Sequence, residues 1–172
     1  MKRAGERSAG YTLIEVLAVI LVAGILAGAA ASGVSRLSSL KGEAALNTVV
    51  AHVRYLQGIA LARNLRTWVS FDAAGNSLRG YVEDPDHPGA AGRLAAQDPI
   101  SHKALAVDLD DGCGGGIWIS AVNFDGGSEV CFDGFGSPFD AAGGALDAEG
   151  TVTFADGSVV AVSPMTGYAS VR

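Results

Sequence analysis

Glu15 is the residue whose setting most needs a chemical explanation. It is the one carboxylate in an apolar register that opens at Tyr11, and no further charge appears from Val16 to Val34. A carboxylate in such surroundings costs roughly 2.5–3.5 kcal/mol on membrane-insertion scales unless it meets a partner, and an isolated helix supplies none. Cys113 and Cys131 are the two cysteines. In an oxidising compartment they suit a disulfide, worth on the order of 3 kcal/mol in the chain-entropy model; the alternative is two buried thiols. The oxygens of Asp108, Asp110 and Asp111 suit calcium, but their spacing is not that of an EF-hand, and solvated loop charge is the favoured reading. His52, His87 and His102 lack metal-ligand spacing, and no Gly-x-Ser-x-Gly elbow is present. The glycines between Gly112 and Gly116 precede no lysine and open no helix, which excludes a phosphate-binding loop. These residues predict no catalysis, no cofactor and no metal.

The elements that would position Glu15 follow from the same stretch. Nineteen residues from Val16 to Val34, at about 1.5 Å per residue, span roughly 28 Å, close to the hydrocarbon thickness of a bilayer. Lys2, Arg3 and Arg7 precede the run, so its amino end is expected in the cytoplasm and everything after it outside. An ordinary secretory signal cleaved between Ala31 and Ser32 is a second reading, although it would place Glu15 inside its apolar region. A plain signal anchor is a third. Beyond Val34 the pattern becomes periodic: Leu46, Val49, Val50, Val53, Leu56 and Ala60 recur at intervals of three and four, predicting one amphipathic helix that continues to about Arg66.

The string Gly10-Tyr11-Thr12-Leu13-Ile14-Glu15 behind a basic leader resembles the cleavage site of type IV pilins and type II secretion pseudopilins. The resemblance implies that prepilin peptidase cuts between Gly10 and Tyr11 and that the new amino terminus at Tyr11 is methylated. It also implies that Glu15 pairs with the terminal amine of a neighbouring subunit during assembly. Tyr11 stands where the family usually has phenylalanine. Val53 to Asn64, the Phe132-Asp133-x-x-Gly136-x-Pro138 stretch and Val162 to Gly167 further resemble the GspH/FimT branch. The fold this implies is α+β and pilin-like, a long amino-terminal helix packed on a small antiparallel β head. Its expected organisation is a leader over 1–10, a membrane-spanning assembly helix over 11–34, an amphipathic continuation over 35–66 and a periplasmic head over 67–172. The implied function is that of a minor pseudopilin or pilin near the tip of a type II secretion pseudopilus or type IV pilus. Its partners would be prepilin peptidase, other pilins and the inner membrane.

Within the head, Thr67–Phe71 and Leu78–Val82 read as a hairpin across Ala74-Gly75-Asn76, and Thr151–Phe154 with Ser158–Val162 as another across Asp156-Gly157. Leu105–Asp110 and Ile117–Val122 read as strands. Glu83 to Lys103, broken by Pro85, Pro88 and Pro99, reads as an exposed loop. The formal charge is -6, and loss of the leader's net +2 leaves the remainder near -8, a poor balance for phosphate binding. FimT-like pilins of DNA-uptake systems are the alternative; their DNA binding is attributed to basic residues near the carboxyl end, where this chain has only Arg172.

Overall fold

The computed structural model describes residues 13–110 and 117–172, and the side chains of 29–41 are outside that description. The described residues divide into two units, one ending at Ser39 and the other Leu40–Arg172. A single helix, α1 (Leu13–Arg63), runs through both. Among the described residues no helix is long and apolar enough to cross a membrane. The described apolar side chains cover 13–28, about 24 Å of helix by the usual rise, and the expected span over 11–34 extends past them at both ends.

In the larger unit the helix contributes one apolar face. Ala45, Leu46, Val49, Val50, Val53, Leu56 and Ala60 are all buried, the three-and-four spacing placing them on one stripe. The helix stops at Arg63, three residues short of the expected end, because Asn64 takes a left-handed conformation (φ 52°). Asparagine is one of the few residues that tolerates this helix-ending geometry.

Two antiparallel sheets receive that face. β1 (Thr67–Asp72) and β2 (Ser77–Glu83) form the first expected hairpin, with Trp68 opposite Tyr81 and Phe71 opposite Leu78. The Asp72 carboxylate accepts from the Ala74 and Gly75 N–H groups and so builds the turn. β1 also pairs with β6 (Glu129–Phe132), which carries the short β7 (Pro138–Phe139). The free edge of β2 is shared by β3 (Arg93–Ala95) and β4 (Ala106–Asp108). The second sheet runs β10-β9-β8-β5, from β10 (Ala169–Val171) through β9 (Val159–Val162) and β8 (Gly150–Phe154) to β5 (Ile119–Asn123). Asp156-Gly157 forms the expected tight turn, Gly157 at φ 88°. One core joins α1 to both sheets, with Val69, Leu78, Val130 and Phe132 from one and Val152, Phe154, Val160 and Val162 from the other. Each such side chain, fully buried, is worth about 1.5–3 kcal/mol.

The structure corrects the sequence reading of 83–103. That segment is not loop throughout: it contains β3 and a 3-10 turn at Ala90–Gly92, and Gln97 bridges Ala104. Its prolines lie outside β3, so none removes a ladder hydrogen bond.

Candidate functional site

Glu15 occupies the first described turn of α1, exposed, on one helix face with Ala18, Val19, Val22, Ala23 and Leu26. Intervals of three, four, seven, eight and eleven residues align these positions. The carboxylate therefore stands at the amino-terminal end of the described apolar stripe. Leu13, Ile14, Leu17, Ile20, Leu21 and Ile25 are exposed as well, each by more than half of its surface. An apolar surface so large is suited to lipid or to other helices. Gly10 and Tyr11, the expected cleavage and methylation positions, lie outside the described residues.

Cys131 is buried in β6, opposite Trp68, and burial pushes its thiol up to about 12. Cys113 lies outside the described residues. The flanks of that segment are held at Asn76, whose side chain bonds the Asp110 carboxylate and the Ile117 carbonyl and accepts from the Ile119 N–H. Asn76 follows the end of β1 that lies farther from Trp68, the residue opposite Cys131.

The histidines do separate jobs. His52 Nδ1 lies 2.7 Å from the Thr48 carbonyl within α1, His87 meets Asp84 at 3.1 Å, and His102 is exposed in a left-handed turn. Asp108 accepts the Asp110 N–H, and Asp110 is engaged by Asn76. Among the described residues no three His, Cys, Asp or Glu side chains converge as a metal site.

Two contacts that sequence reasoning missed lock the carboxyl-terminal segment to α1. Arg54 donates to the Ala169 carbonyl at 2.8 and 3.0 Å and to the Tyr168 hydroxyl at 2.6 Å, with its guanidinium 4.4 Å from the Tyr168 ring centre. Gln57 Nε2 donates to the Gly136 and Thr166 carbonyls at 2.9 and 2.7 Å. The available signal was the sequence itself: polar residues with long side chains bordering an apolar helical stripe are placed to reach over the element packed there. At the tail, Arg172 pairs with Glu149 at 2.7 Å.

The comparisons with known proteins agree with this arrangement. A family model described as the prokaryotic N-terminal methylation motif matches residues 6–31. The type IV minor pilin FimU of Pseudomonas aeruginosa is similar in structure, with TM-score 0.52 at 15% identity, over 76% of this chain and 87% of that one. So is the minor pseudopilin EpsH from the Type 2 Secretion System of Vibrio cholerae, with TM-score 0.52 at 9% identity, over 77% of this chain and 94% of that one. No curated protein sequence matches the chain. The chain therefore carries the methylation motif over residues 6–31 and shares its fold with a minor pilin and a minor pseudopilin.

Proposed function

We propose that this chain is a minor pilin or pseudopilin of the GspH/FimT kind. It assembles near the tip of a type IV pilus or type II secretion pseudopilus and catalyses no reaction. The observation that carries the reading is the methylation motif at 6–31 joined to an unpartnered apolar helix face headed by Glu15. In this reading prepilin peptidase cuts after Gly10 and Tyr11 becomes the methylated terminus. Residues 11–34 anchor the subunit in the inner membrane, leave the head in the periplasm and later pack against equivalent helices. Glu15 then pairs with the Tyr11 amine of a neighbour and sets axial register, since a carboxylate left unpaired among apolar helices is costly.

Intact mass and amino-terminal sequence from membranes with and without prepilin peptidase test the processing step. The expected result is a chain beginning at methylated Tyr11 that is lost when the peptidase is absent; a start at Ser32 would overturn the reading. Glu15→Ala is expected to keep insertion and cleavage while reducing incorporation into fibres, and normal incorporation would sink the pairing mechanism. The DNA-uptake alternative draws little support from the tail, because its one arginine is already paired with Glu149. A gel shift over a salt series is expected to give no salt-sensitive micromolar complex.

A further inference from the structure

The six-stranded sheet ends at β3, an outer edge with a groove beside it. Its register determines which backbone groups are spare. Leu94 lies opposite Val82, while the Ala96 N–H donates to the Gly80 carbonyl and the Asp84 N–H to the Gly92 carbonyl. Bonded and non-bonded pairs alternate along an antiparallel ladder, so Leu94 directs its N–H and C=O to β2. Arg93 and Ala95 direct theirs outward.

Beside this edge lies a half-open groove of about 490 Å³, with Tyr55 and Ile59 of α1, Val82 of β2, Leu94 of β3 and Pro99 among its lining. Its floor is apolar and its margin is acidic. Glu83 and Asp98 stand on the groove, and Asp84 and Asp86 on the other flank of β3. Asp98 is held below the ordinary carboxylate range by the Ser101 N–H, and Asp84 by its bond to His87. Arg63 is the opposing cation on the groove. Arg93 is taken up by Glu129 at 2.7 Å and stacks over Trp68 and Tyr81 on the sheet's outer face.

We propose that this edge accepts an extended, lysine- or arginine-bearing segment of a partner polypeptide as an added strand. The outward groups of Arg93 and Ala95 supply the ladder, an inward apolar side chain of the segment enters the groove, and its cations meet the acidic margin. A three-residue edge offers few backbone bonds, so charge selects the partner more than it sets the affinity. A second copy of this chain is a poor occupant, because its formal charge of -6 opposes that margin.

The test uses the full chain in detergent micelles and fluorescence anisotropy with two labelled hexapeptides, Lys-Val-Lys-Leu-Lys-Val and its counterpart with Glu for every Lys. The lysine peptide is expected to bind at least about tenfold tighter than the glutamate peptide and to weaken as salt screens the margin. Ala95→Pro removes one outward N–H and leaves the β2–β3 bonds intact. It is expected to weaken the lysine peptide about three- to tenfold at unchanged circular dichroism. Leu94→Lys, at a residue 57% exposed, supplies a second variant should Ala95→Pro fail to fold, and is expected to weaken the same peptide. Absence of lysine-peptide binding, equal binding of both peptides, or unchanged affinity in a folded variant would each overturn the proposal.

Discussion

Asn76 is fully buried, lies in the left-handed region at φ 42° and serves three partners at once. Asn76→Ala strips the Ile117 carbonyl and the Ile119 N–H of their bonds while leaving both inside. A buried group left unsatisfied costs about 1–3 kcal/mol, so a loss of about 2–4 kcal/mol is expected in denaturant melts; a loss under about 1 kcal/mol would mean that water replaces the side chain. Gly150 is constrained differently. A Cβ there would run into the Phe124 ring, so Gly150→Ala is expected to destabilise by about 1–3 kcal/mol through overpacking. Cys131 is tested by alkylation in denaturant without reductant. A bridge to Cys113, as expected from an oxidising compartment, predicts no labelling until reductant is added, whereas two thiols would both label at once.

At the scale of elements, Gln57 stands between the turn after β6 and the turn before β10. One amide nitrogen serves both carbonyls, so Gln57→Ala is expected to loosen both turns together. Hydrogen exchange should quicken at the Gly136 and Gly167 N–H groups, which close those turns onto Asp133 and Ser163, while the β8–β9 hairpin is unaffected. Gln57→Glu should be worse than alanine, because it sets a carboxylate against two carbonyl oxygens. The two expected hairpins were legible because their strands alternate and their turn residues favour left-handed backbone. β3 was not legible, since three residues between prolines carry too little pattern to announce a strand. β10 was missed for a related reason: it exists because β9 offers an edge and Arg54 holds the Ala169 carbonyl against α1, neither of which is a local signal.

For the whole molecule, pH acts through carboxylates at turns. Asp84 is held low by His87, and Asp98 by the Ser101 N–H. Both take up protons more readily when unfolded, near 3.8, so their contribution is present above that value and is lost as pH falls from there through their lower folded values. Thermal unfolding should therefore hold steady from about pH 7 to pH 5 and drop below about pH 4. Asp98→Asn should shrink the drop, and an unchanged drop would remove Asp98 from the account. The amino-acid sequence by itself determined the prepilin-type motif, the lone carboxylate in an apolar run, the buried stripe of α1 and the two tight hairpins, because each rests on neighbours within a few residues or on simple periodicity. Only the tertiary structure decided the second sheet, the clamps made by Arg54 and Gln57, the neutralisation of Arg172 and the spare edge at β3. Those depend on groups far apart in the chain, and the free energy of pairing them appears only when the core brings their elements together.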